Sequence, residues 1–142
     1  MSRLEKWYIV VNLETGSTRK LQGNSFLRKD CPNFKVYELV STDKTEIVLY
    51  SPTLIKYLQK LRNKYSKAVV ITSGNREILF NESVNGYKDS EHLYGLAVDI
   101  KINGVGVDRL YNACIEIGGY FCNVGRYSTH IHFGIQGYHR RA

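Results

Sequence analysis

The sequence predicts an α+β fold in a single domain, and three observations support this prediction. The chain of 142 residues is long enough to bury one hydrophobic core. Apolar residues recur at helical spacing in two stretches, one after Ser51-Pro52 and one after Val107. Short runs rich in Val, Ile and aromatic residues stand before, between and after these stretches, as strands do. We therefore expect a small antiparallel sheet with helices packed on one of its faces.

The first third of the chain is predicted to contain strands and loops. Residues 7–13 are rich in Trp, Tyr, Ile and Val, a turn signal follows, and residues 18–21 return as a second strand. We expect residues 1–33 to be an N-terminal extension with this hairpin, and residues 34–142 to form the main domain. Residues 45–50 are predicted to be the next strand.

The centre of the chain predicts a helix and a buried strand. Ser51 is a favourable N-cap and Pro52 is well tolerated at the first helical position. Leu54, Ile55, Leu58 and Leu61 then follow on one helical face. Residues 68–73 are the buried strand, which Gly74 ends, and residues 77–84 are predicted to form a short helix.

The last third predicts a strand, a helix and two closing strands. Residues 98–102 are predicted to form the first strand, and the helix that starts at Val107 ends at Gly118-Gly119. Five residues of this helix have the helical period of an apolar face: Leu110, Tyr111, Cys114, Ile115 and Ile117. Residues 120–124 and 129–135 are the closing strands. Strand alternation puts His130, His132 and Gly134 on one face of the last strand.

Charge and composition limit the classes of function. The formal net charge is +7, which favours polyanionic partners: nucleic acid, an anionic cell-wall polymer or an acidic membrane surface. Three cysteines without metal-finger spacing are expected to be free thiols in a reducing compartment. We find neither a signal peptide nor a membrane-spanning run, so we expect cytoplasmic synthesis and no membrane insertion.

One stretch, Ser90 to Asp99, contains residues suited to metal chemistry. His92 and Asp99 are seven positions apart with Gly95 between them, and a strand follows, so the two side chains can converge on one point. Imidazole and carboxylate are ordinary zinc ligands, and His132 is the best third ligand. Three ligands leave the fourth zinc position open for water.

Three blocks of the sequence resemble the M15 peptidases, a group that includes zinc D-Ala-D-Ala carboxypeptidases and endolysin-type murein peptidases. The blocks are residues 71–76, whose Ser-Gly-Asn-Arg end resembles Ser-Gly-aromatic-Arg; residues 90–99, which fit Ser-x-His-x-x-Gly-x-Ala-x-Asp; and residues 131–133, the closing histidine strand. The metal site of the group is similar to that of the Hedgehog signalling domain. The resemblance runs from about residue 34 to 137 and implies a zinc site on one face of the sheet.

The resemblance also implies roles for individual residues. His92, Asp99 and His132 would hold Zn²⁺, and Arg76 would bind the substrate carbonyl oxygen or carboxylate. The chain departs from the group at three positions: Asn75 replaces an aromatic residue, Gly134 replaces a frequent acid, and Thr129 replaces a frequent glutamate that serves as general base. His130 is the favoured substitute for that base, and Glu116 and Glu91 are weaker candidates.

The expected function is zinc-dependent hydrolysis of a peptide bond in bacterial peptidoglycan, by a carboxypeptidase or an endolysin-type endopeptidase. The producer would be a phage, a virus, or a bacterium that uses another exit route. The substrate partner would be a peptidoglycan peptide, and the protein would act at the cell wall after release or as part of a phage particle. The alternative is an inactive, zinc-stabilised binding module of the same fold. A third hypothesis, nucleic-acid binding through the net charge, has no supporting motif.

Overall fold

The described part of the chain folds as an α+β domain with two sheets and two α-helices, which confirms the predicted fold class. The computed structural model describes residues 2–75, 92, 95–118 and 122–135. The elements are β1 (Trp7–Asn12), β2 (Thr18–Gln22), a 3₁₀ helix (Val36–Leu39), β3 (Ile47–Tyr50), α1 (Pro52–Tyr65), β4 (Val70–Ser73), β5 (Ala97–Lys101), α2 (Val107–Gly118), β6 (Cys122–Arg126) and β7 (Ile131–Ile135). The short helix predicted over 77–84 lies outside the described residues.

The first sheet has the strand order β2-β1-β3. β1 and β2 form the expected antiparallel hairpin. β3 then pairs with β1 in parallel, with Ile9 opposite Ile47 and Val11 opposite Leu49. The parallel pair was not predicted, because strand alternation indicates which face a residue occupies and not which distant strand it joins.

The second sheet has the order β4-β5-β7-β6 and is antiparallel throughout. On β5 and β7, Val98, Ile100, Ile131 and Phe133 point toward the helices and are fully or almost fully buried. The Phe133 ring stacks on Tyr57 of α1 at 6.1 Å. The alternating side chains Asp99 and His132 therefore occupy the opposite face, as the sequence predicted.

One hydrophobic core joins the two sheets and the helices. Tyr8 and Val10 of β1, Val48 of β3, Leu58 of α1 and Ile100 of β5 all belong to it. The boundary expected at residue 33 stays a prediction, and residues on both sides of it share this core. Cys31 and Cys114 are both buried, and Cys31 is a free thiol, as expected. Ile115, which the helical period placed on the apolar face of α2, is instead 43% exposed.

Helix α1 begins as the sequence predicted, with an added partner from the hairpin turn. Ser51 is the N-cap, and its hydroxyl oxygen accepts the Leu54 N–H. Glu14 reaches the same helix end, where its Oε2 accepts the Ser51 hydroxyl at 3.0 Å and the Thr53 N–H at 2.9 Å. A carboxylate at a helix N-terminus also interacts favourably with the helix dipole. Glu14 thus attaches the β1–β2 turn to α1.

Asn75 joins the second sheet to the open edge of the first. Its side-chain amide donates to the Leu49 carbonyl at 2.9 Å and accepts the Leu49 N–H at 2.5 Å. The Asn75 backbone N–H donates to the Leu39 carbonyl at 3.0 Å. One buried amide side chain therefore pairs with the edge of β3 as a neighbouring strand would.

Gly95 approaches the same residue from the start of β5. Its φ is +70°, a left-handed value that disfavours every residue with a Cβ. A Cβ on Gly95 would also lie 2.6 Å from the Leu49 Cβ and 2.7 Å from the Leu49 carbonyl oxygen. Leu49 thus contacts both the end of β4, through Asn75, and the segment that leads into β5.

Glu14→Gln should lower stability by about 0.5 kcal/mol at pH 7, a value already reduced for the exposure of this side chain. Partial burial alone would raise the Glu14 pKa, but the hydrogen bonds from Thr53 and Ser51 outweigh it and lower the pKa. The stabilisation is therefore present above the unfolded-state pKa of about 4.3 and is lost as the pH falls through the lower folded-state value. Urea unfolding at pH 7 and about pH 3 should show the difference only at pH 7. The exposed residue Glu46, changed to Gln, is the control; an equal effect there would refute the assignment.

Asn75→Ala should cost about 1–3 kcal/mol, because it removes the amide partner of both the Leu49 N–H and the Leu49 carbonyl. Asn75→Asp should also destabilise, since a carboxylate has no N–H to donate and would face the Leu49 carbonyl. The control is Asn63→Ala on α1, where the exposed Asn63 accepts a hydrogen bond from Gln59. Urea unfolding midpoints for the three variants test this. Equal midpoints for Asn75→Ala and the wild type would show that the amide link adds no stability.

Candidate metal centre

Three side chains predicted as metal ligands converge on the face of the second sheet that lies opposite the helices. Asp99 of β5 lies directly opposite His132 of β7 in the strand register. His92 joins them, and one ligand atom from each residue lies within 4.8 Å of the others. All three residues are buried, with 1% of His92, 7% of Asp99 and 2% of His132 exposed. The structure thus brings together His92, Asp99 and His132 in a cluster that could hold a metal.

One ring nitrogen of each histidine lies close to the same carboxylate oxygen of Asp99. His92 Nε2 is 3.1 Å and His132 Nδ1 is 3.3 Å from Asp99 Oδ1. Ligands at 2.0–2.2 Å from a tetrahedral metal lie roughly 3.2–3.6 Å from one another. The observed separations are close to that range. The two imidazole rings meet edge to face, with centroids 5.1 Å apart, so both nitrogens can approach the same point.

The protonation state of His92 indicates what this cluster needs. His92 Nδ1 lies 2.8 Å from the Gly74 carbonyl oxygen, which can only accept, so Nδ1 must carry a proton. In the neutral ring, Nε2 then has a lone pair directed at the Asp99 carboxylate. Two electron-rich atoms in a buried site require a second proton on the ring or a cation between them. A metal ion satisfies this requirement, and the Gly74 hydrogen bond is the kind of support that orients metal-binding histidines.

Asp99 is held ionised by the same arrangement. Burial alone would raise the Asp99 pKa. When the rings carry the second proton, hydrogen bonds from His132 and His92 outweigh the burial and hold that pKa well below its usual range, and a cation between the three side chains would act in the same direction. The Thr72 hydroxyl also donates to the Asp99 backbone carbonyl at 3.3 Å. The carboxylate is therefore available as an anionic ligand at neutral pH.

His130 lies beside the cluster and not within it. Its Nε2 is 3.7 Å from Asp99 Oδ2. The two buried histidines contact the other carboxylate oxygen, Oδ1. The His130 side chain is 28% exposed, against 2–3% for the side chains of His92 and His132. His130 precedes β7, in the turn after β6, and not within the strand as predicted. His130 therefore lies on the side of the site that faces solvent.

Two neighbours fix the His130 ring. Thr129 Oγ1 is 3.1 Å from His130 Nδ1. The Tyr127 ring stacks on the imidazole, with centroids 4.7 Å apart and an angle of 11° between the ring planes. The Tyr127 N–H donates to the His130 carbonyl and closes the turn between β6 and β7. Tyr127 was not predicted from the sequence, although an aromatic residue three positions before a histidine in a short turn could have indicated it.

The remaining predicted residues fall elsewhere. Arg76 and Glu91 lie outside the described residues. Glu116 is exposed on α2, where it lines a surface cleft with Lys64 and Arg109 on the helix side of the sheet. That position separates Glu116 from the histidines and removes it as a candidate base. Gly134 is buried between Ala97 and Asn123 in the sheet.

None of the described helices has the length and apolar character needed to cross a membrane.

In comparisons with curated proteins and with solved structures, nothing matches this chain. A family model described as Peptidase M15 matches residues 32–134, a range that contains His92, Asp99, His130 and His132. Members of this family are metal-dependent peptidases. The match covers well over half of the sequence, and the chain therefore belongs to the peptidase M15 family.

Proposed function

We propose that the protein is a zinc-dependent peptidase that cleaves a peptide bond in bacterial peptidoglycan. The convergence of His92, Asp99 and His132 on one point carries this proposal, because their donor set and spacing suit zinc with one position open. When bound, zinc supplies Lewis acidity that activates water and polarises a carbonyl group. The net charge of +7 supports a wall substrate, since it favours contact with an anionic polymer.

Each residue of the candidate site has a separate role in this proposal. His92, Asp99 and His132 hold the metal, and Gly74 orients His92 through its carbonyl. His130 accepts the proton of the attacking water and later returns it to the leaving amine. Arg76 remains the predicted partner of the developing oxyanion, one residue after Asn75 in the chain.

The second candidate is a zinc-stabilised binding module without turnover. Thr129 at the position of the frequent glutamate and the near-complete burial of the three ligands favour it. Both candidates predict metal binding, and only the first predicts hydrolysis. Measuring products therefore separates them.

Digestion of purified peptidoglycan tests the function directly. The zinc-loaded protein should release new amino and carboxyl termini, and mass spectrometry of the products should show whether a terminal residue is removed or an internal peptide bond is cut. A chelator should stop the release, and added zinc should restore it.

His132→Ala should lose most of its bound metal in elemental analysis, because two ligands hold zinc far more weakly than three. Full metal occupancy in that variant would refute the ligand set; metal binding without any product would favour the binding module.

His130→Ala should keep its zinc and its fold but lose roughly 10²–10⁴ in kcat, the usual contribution of a general base. The acidic limb of the pH–rate profile should also move or disappear, because a general base must be unprotonated to accept the proton of the attacking water. Metal content, circular dichroism and kcat are measured on the same preparation. Tyr127→Leu is the comparison variant: it removes the stacked ring, keeps the imidazole and should cost much less. A zinc-replete His130→Ala protein with unchanged kcat and acidic limb would place the base elsewhere, with Glu91 as the next residue to change.

A further inference from the structure

The outer face of the first sheet exposes three large apolar side chains. β1 and β3 bury alternate residues in the core, such as Tyr8 and Val48, so the residues between them point outward. Trp7 is 52% exposed, Ile9 48% and Ile47 54%. Ile9 lies directly opposite Ile47 in the strand register, and Trp7 precedes Ile9 by two residues on β1. The three side chains therefore share one surface, which we call the outer apolar face.

The size of the outer apolar face suits a narrow ligand better than a protein partner. Half of the surface of one Trp and two Ile side chains amounts to roughly 300 Å², whereas each partner of a stable protein interface contributes about 800 Å². An apolar patch of about 300 Å² is nevertheless as large as the main patch of many monomers, which is often functional. A second copy of the chain would therefore be held only weakly by this face.

A lysine of the neighbouring strand fixes the Trp7 ring. Lys20 on β2 lies opposite Ile9 in the register, and its Nζ is 5.9 Å from the centre of the Trp7 ring, where the cation and the ring attract each other. Half of the Trp7 surface stays exposed even so. A ring that is already held in one orientation loses less conformational entropy when a ligand stacks on it. Trp7 is therefore a preorganised stacking group.

The chemistry of this face matches that of an N-acetylated sugar. A pyranose ring has a flat face of C–H groups, which can stack on an indole, and a rim of hydroxyl groups, which needs polar partners. The acetamido methyl group can pack against Ile9 and Ile47. The exposed residues Lys20 and Thr18 of β2 project from the same face and offer hydrogen-bond donors to the rim. An apolar surface with a few polar groups at its border is the usual composition of a ligand site.

The outer apolar face leads to the segment that contains His92. Leu49 follows Ile47 by two residues on β3 and therefore projects from the same face. A Cβ on Gly95 would lie 2.6 Å from the Leu49 Cβ, so the chain before β5 lies directly against the end of this face. Gly95 is three residues after His92, and three residues of chain span at most about 11 Å. A polymer that lies on the outer apolar face is therefore close to the metal centre.

We infer that the outer apolar face binds the glycan strand of peptidoglycan, with one sugar ring stacked on Trp7, while the attached peptide extends to the metal centre. This inference rests on the proposed peptidase function, because it names the part of the wall polymer that lies next to the peptide to be cut. Trp7, Ile9 and Lys20 precede residues 32–134, so the family match does not include the β1 and β2 part of this face.

Tryptophan fluorescence of the full chain tests the binding, because Trp7 is the one tryptophan in the sequence. The probe is peptide-free glycan strands prepared from peptidoglycan, which contain no bond for a peptidase to cut. Added glycan should shift the emission to shorter wavelength and reduce quenching by acrylamide at least twofold, in a saturable way. Unchanged emission and quenching at millimolar disaccharide units would overturn the inference. The same shift caused by protein concentration alone, with self-association in sedimentation, would also overturn it and assign the face to a second copy.

Matched variants separate this face from general effects. Ile47→Ala shortens an exposed side chain of the outer apolar face and should weaken glycan binding at least fivefold. Ile115→Ala makes the same change at an exposed isoleucine of α2, which is 43% exposed, and should leave glycan binding unchanged. Trp7→Ala should raise KM at least tenfold for peptidoglycan fragments that keep their sugars, and should leave KM for the free stem peptide and the metal content unchanged. A role of Trp7 in folding alone would affect both substrates equally.

The outcomes distinguish this inference from the proposed function. Wall digestion with unchanged KM in both Trp7→Ala and Ile47→Ala would overturn the glycan inference and leave the peptidase function intact. Saturable glycan binding that Ile47→Ala weakens, without any wall digestion by the wild type, would support the glycan face and overturn the peptidase function. If Trp7→Ala does not fold, Ile47→Ala, which keeps the fluorescent ring, decides alone.

Discussion

The site depends on the hydrogen bond between His92 Nδ1 and the Gly74 carbonyl. Because a carbonyl only accepts, this bond fixes which ring nitrogen carries the proton and turns the other toward Asp99. The remaining features of the site follow from that orientation. The Asp99 carboxylate must be ionised and buried, His132 must approach the same oxygen, and a positive charge must lie among them. A single main-chain oxygen at the end of β4 thus sets the chemistry that three side chains can perform.

The support for that oxygen comes from the first sheet. Asn75, directly after Gly74, binds both backbone groups of Leu49, and Gly95 packs against the same residue with a left-handed φ. The segments that precede and follow His92 are therefore both held against β3. A fixed separation between these two segments helps to keep the ligands in place. The departure from the family pattern at Asn75 has a structural explanation here, because an aromatic side chain could not make these two hydrogen bonds.

Local sequence signals predicted those features that local physics decides. Ser51 and Pro52 marked the start of α1, and alternation placed His132 on the face opposite Phe133. The features that the sequence did not predict depend on contacts between distant segments. The parallel pairing of β1 with β3 joins residues 38 positions apart, from Ile9 to Ile47, and no local pattern encodes it.

The same limit applied to the site. The sequence indicated the three ligand residues and their spacing. The irregular pairing of β4 with β5 at Thr72 and the hydrogen bonds of Asn75 to Leu49 depend on contacts between segments that are distant in the sequence. His130 was placed on the correct side of the sheet, yet it lies in the turn and not in the strand, because the β6–β7 turn closes at Tyr127 and His130. Ile115 has the helical period of the apolar residues of α2, but it is exposed where Leu110 and Cys114 are buried, and the period alone does not show how far the buried face extends.

The parallel strand β3 has a consequence for any attempt to shorten the protein. The family match begins at residue 32, which suggests a natural place to trim the chain. Trimming there would remove β1 and β2, and with them the ladder that β3 uses and the two core side chains Tyr8 and Val10. Val48 would then face water on a single unpaired strand, and Leu49 would lose the scaffold that lets it hold Asn75 and Gly95. The smallest unit able to build this metal centre is therefore larger than the segment by which the family is recognised.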